Sequence, residues 1–267
     1  MPAAARSLNS LGTAGESIFA SGLYRPGVLA FDSVGNLFFV DYEILDHIGD
    51  AAIYRITPNG ILTIFASGLT YPCDVTFDKT GDLFVADYNS GTIYKYKPDG
   101  SRKTFASGLD HPVGLTFDST GSLFVADNSI GNVYQGSIYK YKSDGSRVTF
   151  AVLGPTDRPA DLAFDRLGNL YMADLGGKIY EYNLSGVLRR QGRITFGSIP
   201  NGAESLAFDS AGNLFVVDAG DVNGKGNAIY KFTSLGVRSL FVPEISSGSG
   251  LRETFSHVAF RPMACCQ

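Results

Sequence analysis

Three side chains able to hold a divalent cation occupy the same position of a repeated segment. Asp74, Asp161 and His257 each stand three residues before the Phe that closes a short apolar run, at Phe77, Phe164 and Phe260. Two carboxylates and an imidazole offer the oxygen and nitrogen donors that suit one calcium or zinc ion. An ion so held polarises a carbonyl and lowers the pKa of its bound water. Glu204 and His47 are the candidate bases beside it. Without a metal, the same acids and imidazole can pair as base and orienting acid around a water. A plainer role stands beside both: an Asp at a strand entrance satisfies local backbone donors, and a single His is commonly a hydrogen-bonded core residue.

Further polar side chains sit in what read as loops. His111, just before Pro112, and Asn128 and Tyr134 in NSIGNVYQGS can hydrogen-bond a small polar ligand. In DAGDVNGKGN, Asp221 and Asn223 lie among glycines, loosely like a calcium loop, but the Gly at position six and Glu at position twelve of an EF-hand are missing. The segment YEILDHIGDAA carries His47 with Ile44, Leu45 and Ile48, a composition that fits either a lid or packing against the scaffold. No GxSxG elbow, HExxH, P-loop or dinucleotide fingerprint occurs, so nucleophilic serine chemistry has no support.

What must position these residues is a repeat. FDSTGSLFVAD from Phe117 returns as FDSVGNLFFVD from Phe31, FDKTGDLFVAD from Phe77, FDRLGNLYMAD from Phe164 and FDSAGNLFVVD from Phe208. Successive starts differ by 46, 40, 47 and 44 residues, the period of β-propeller blades. Each copy parses into four strands, a to d. In the second copy DVTFD is strand a, LFVAD strand b, IYKY strand c and KTFAS strand d, with turns at Gly81 and at Pro98-Asp99-Gly100. The Asp of each FD pair and the Asp ending each strand b recur in all five copies, which marks them as blade-closing hydrogen-bond groups.

The expected architecture is all-β: a six-bladed propeller of four-stranded blades in one domain, 1–267. Five blades run near 28–69, 74–109, 114–154, 161–200 and 205–245, and the sixth joins 7–21 to 256–267. In that sixth blade SHVAF supplies strand a, 17–21 strand d and 7–11 a degenerate strand c, with only 261–267 left for strand b. Closing the ring with both termini removes exposed sheet edges. The d-to-a and b-to-c connections share one face. From the Asp ending strand b to the Ile beginning strand c, the blades count 12, 6, 11, 5 and 11 residues, so long loops alternate with short ones around that face.

Composition agrees with a single closed domain. Hydrophobic residues make up 44%, enough to fill its core. The net charge of −4 comes with no basic stripe, which excludes a nucleic-acid-binding face. No apolar run approaches a membrane span, and the first sixteen residues lack the apolar core of a signal peptide. A soluble monomer is expected, with the choice between a cytoplasmic and a periplasmic or secreted location left open. Cys73, Cys265 and Cys266 have no thiolate-metal spacing, and the last two read as a tail rather than a vicinal disulfide.

The phrases PVGLTFDSTGSLFVADNSIG and GSIYKYKSDG resemble the NHL-repeat propellers and the related regucalcin/gluconolactonase (senescence-marker) family over nearly the whole chain. The resemblance implies a propeller and, for the lactonase branch, a metal-dependent lactone or ester hydrolase. That family places Glu, Asn and Asp ligands four residues before the aromatic of the FD pair. Here the slot reads Gly27, Cys73, Val113, Ala160, Glu204 and Ser256, so Glu204 alone matches and the family's metal centre is absent or rebuilt. The leading expectation is therefore a propeller binding a small polar molecule, or a protein partner, at its central mouth. The alternative is a gluconolactonase-like hydrolase using Asp74, Asp161 and His257.

Overall fold

The computed structural model describes residues 26–41, 51–129, 136–182, 195–219 and 227–242. These form five antiparallel four-stranded sheets, each in the order a-b-c-d along the chain. The strands of blade two run Pro72–Phe77, Leu83–Asp87, Thr92–Tyr96 and Arg102–Ala106. Strand a begins two residues earlier than the alternation suggests, because Pro72 already pairs with Asp87. Each strand a lies against the strand a of the next blade, so these are the inner strands of a propeller.

The blade count among the described residues is five where six were expected. The strands assigned to the sixth, at 7–21 and 256–267, lie outside the described residues. The five blades are those that carry the full repeat from the FD pair to the Asp ending strand b, a hairpin whose turn and apolar strand are local in sequence.

Strand b shows why the fold closes on itself blade by blade. In LFVAD of blades two and three, and in LYMAD of blade four, all five residues are buried. A strand in a two-layer sheet would alternate. Burial on both faces means that each sheet is covered by a neighbouring sheet on either side. The aromatic of strand b fills that seam. Phe84 meets Phe105 of its own strand d and Phe117 of the next blade's strand a, each at 5.0 Å and near-perpendicular. Phe38 does the same with Phe65 and Phe77, Phe124 with Phe150 and Phe164, and Tyr171 with Phe196 and Phe208.

The FD aspartates close the a–b turns. Asp78 Oδ1 accepts the backbone N–H groups of Thr80 at 2.9 Å and Asp82 at 3.0 Å, while Gly81 takes φ 85° to complete the turn. Asp32, Asp165 and Asp209 also accept the side-chain amide of the Asn four residues on. The strand-b aspartates bind the incoming loop instead: Asp87 accepts from Thr70 N, Thr70 Oγ1 and Tyr71 N. The structural role expected of both sets holds wherever these bonds are described.

Truncating a seam ring should be costly. Phe84→Ala is expected to lower unfolding free energy by about 3–5 kcal/mol, read from urea denaturation. Phe241→Ala, whose ring is 57% exposed, should cost clearly less.

Candidate functional site

A β-bulge at the start of strand a builds the site. In blade two the pairing jumps from Pro72↔Asp87 to Asp74↔Ala86, in blade four from Pro159↔Asp174 to Asp161↔Ala173, and in blade five from Ala203↔Asp218 to Ser205↔Val217. Blade three repeats the shift between Pro112 and Gly114. The residue left without a cross-strand partner is Cys73, Val113, Ala160 or Glu204. A bulge frees one residue from the ladder and re-aims its side chain. The slot four residues before the FD aromatic is thus a structural device of the scaffold, available for whatever side chain a blade places in it.

The next position is used differently. Asp74 Oδ1 accepts Val75 N–H at 2.7 Å, and its Oδ2 accepts Leu115 N–H of the following blade at 2.6 Å. Asp161 repeats this: Oδ1 takes Leu162 N–H at 2.7 Å, and Oδ2 takes Leu206 N–H at 2.8 Å and the Ser205 hydroxyl at 3.0 Å. Both aspartates are buried and staple their own blade to the next one. Blade three carries Gly114 at this position, and a Cβ there would stand 2.9 Å from the Cα of Asp161. Burial, and then the nearby Asp161 charge, hold the Asp74 carboxyl well above the usual carboxylate range despite its two backbone bonds. A carboxyl whose two oxygens each already accept a backbone N–H has less capacity left for a cation. Among the described residues no cluster of three metal-binding side chains occurs.

Glu204 is the contrasting acid. It is half-buried in the bulge of blade five, and no donor among the described residues bonds its carboxylate. Burial and then the Asp218 charge raise it to about 7, the range in which a carboxylate can give or take a proton at neutral pH. Cys73 in blade two's bulge is chemically quiet, since burial followed by Asp74 and Asp87 pushes its thiol up to about 12.

His111 and Asn128 lie together on the same face. His111 N–H donates to Asp127 Oδ1 at 2.8 Å, and Asn128 N–H donates to the His111 carbonyl at 2.9 Å. The imidazole packs against Tyr88, with ring centroids 4.4 Å apart, and Tyr88 packs against Tyr71 at 5.8 Å. The two tyrosines escaped the sequence reading, although they occupy the same steps as His111 and Asn128 one blade earlier: the residue before strand a's Pro and the residue after strand b's Asp. That phase relation was available from the repeat alone. His47, Tyr134, Asp221, Asn223 and His257 lie outside the described residues, as do 42–50, 130–135 and 220–226 of the three long loops.

No family model matches the sequence, and no curated protein matches it. Solved structures do match in shape. A gluconolactonase from Xanthomonas campestris superposes with a TM-score of 0.72 at 18% identity, covering 91% of this chain and 81% of that one. A provisionally designated gluconolactonase gives 0.71 at 16%, covering 92% and 84%. Virginiamycin B lyase from Staphylococcus aureus gives 0.59 at 17%, covering 82% and 70%. Identities this low show a shared propeller fold and leave the activity to the site residues.

The Glu204 carboxyl has a testable signature. A raised pKa means that the folded chain holds this proton more tightly than the unfolded chain, so its contribution to stability falls as pH rises from 4.5 to about 7. In urea unfolding, wild type should lose more stability across that interval than Glu204→Gln. Equal slopes would remove the assignment.

Proposed function

We propose that this propeller binds a small polar molecule at the mouth of its central channel, on the face built by the d-to-a and b-to-c connections, with Glu204 as its anchoring acid. The observation that carries the reading is the division of labour among the acids. Asp74, Asp161 and the strand-b aspartates Asp87, Asp127 and Asp174 spend their oxygens on backbone donors of the scaffold. Glu204 stands in a bulge with no such partner among the described residues, and its oxygens are the ones we assign to a ligand hydroxyl. His111 and Asn128 add polar edges on the same face, and Tyr134 belongs to the adjoining loop segment.

A second reading follows from the gluconolactonase shape match: hydrolysis of a lactone or similar ester. Glu204, or His47, would serve as general base toward a water, and Asp74, Asp161 and His257 were the expected ligands of a calcium or zinc ion. The geometry of Asp74 and Asp161 favours their staple role over that one. The hydrolase reading therefore leans on Glu204, whose protonation behaviour suits a base working near neutral pH.

Calorimetric titration with sorbitol and glucono-1,5-lactone as neutral polyhydroxy probes separates the cases. Saturable binding that Glu204→Gln weakens by about ten- to a hundredfold, the worth of a hydrogen bond to a charged acceptor, supports the binding reading. Absence of saturable heat from both probes overturns it. Lactone turnover that Glu204→Gln abolishes would establish the hydrolase instead.

A further inference from the structure

Across the seam between blades two and three, Tyr71, Tyr88 and His111 make a continuous arc of rings that anchoring by Glu204 does not use. Tyr71 and Tyr88 meet at 64°, and Tyr88 and His111 at 47°. Their backbones are fixed. Tyr71 N–H donates to Asp87 at 2.7 Å, Tyr88 N–H donates to the Tyr71 carbonyl at 2.9 Å, and His111 is held by Asp127. Rings on so rigid a base lose little freedom when something binds them.

One further observation points outward. Tyr71 is 47% exposed although it packs against Tyr88. His111 Nδ1 is buried and has no hydrogen-bond partner among the described residues, so the protein does not fix the tautomer through that atom. Buried at Nδ1, the imidazole contributes its ring to the arc rather than a hydrogen bond through that atom. The tyrosines meet edge to face, and Tyr71 keeps its exposure beside that contact. A flat ring laid on the exposed part of Tyr71 continues the tilted array that aromatic quadrupoles favour.

We propose that the Tyr71–Tyr88–His111 arc is a stacking subsite for a planar aromatic group of a small ligand. The inference rests on this face being a small-molecule site and specifies the chemistry at one end of the occupant. A saturated ring would gain contact area but not the edge-to-face attraction.

The chain has three histidines, so few imidazole signals crowd a proton–carbon NMR spectrum, and His111→Gln assigns the one needed. Phenol and cyclohexanol are the probes, matched in size and hydroxyl but differing in the π face. Phenol should move the His111 signals upfield with saturation, and cyclohexanol should leave them in place. Tyr71→Leu and Tyr88→Leu should each weaken phenol binding about two- to tenfold, whereas Tyr88→Phe should retain it. Equal responses to the two probes, a phenol shift that never saturates, or leucine variants indistinguishable from wild type would overturn the subsite. Wild type that binds sorbitol but not phenol refutes the arc alone; phenol binding without polyol binding refutes Glu204 anchoring alone.

Discussion

The seam between blades is the contact on which the rest of the structure depends. An aromatic from strand b is held between a Phe of its own strand d and a Phe of the next blade's strand a, at the same 5.0 Å spacing in four successive seams. Because every such ring belongs to two blades at once, no blade buries its faces alone. The Phe-Asp pair that marks the repeat divides this work. Its Phe enters the seam, and its Asp turns the chain from strand a to strand b. Lysines of strand c, Lys95 over Phe84 and Lys140 over Phe124, cover the rings from outside and pair with the turn aspartates Asp78 and Asp118.

A scaffold stabilised in this way can vary the first residues of its inner strands. The bulge takes one residue out of the ladder in each of blades two to five, so Cys73, Val113, Ala160 and Glu204 differ freely while the strands around them keep their register. The following position is constrained by the neighbouring blade. There an Asp reaches across to a backbone N–H, or a Gly lets two backbones approach. Adjacent positions of one short strand are therefore opposite in kind, one serving the assembly and the other open to chemistry.

Propellers that superpose on this chain include gluconolactonases and a virginiamycin B lyase. At 16 to 18% identity the likeness is one of scaffold and carries no residue role over to this chain. The chemistry on this face must come from its own side chains. The candidates are an acid raised toward neutral pH by burial and Asp218, and an arc of rings anchored by two strand-b aspartates.

Much of this was legible in the sequence. The FD spacing determined that the chain folds as repeated four-stranded blades, because the alternation of apolar residues and the Gly and Asp of each turn are local properties. The recurrence of Asp at fixed phases likewise identified the turn and loop aspartates as structural. Side-chain phase could not tell Asp74 and Asp161, as expected ion ligands, from blade staples, since the donors that occupy them, Leu115 N and Leu206 N, are 41 and 45 residues away. Nor could it show that Glu204 is the residue released by a bulge, because a bulge is a mismatch between two strands and not a property of either. The Tyr88–His111 contact joins side chains from consecutive blades. Residue types and their period come from the chain alone; which polar atoms remain unsatisfied depends on the distant segment packed against them, and only the tertiary structure decides that.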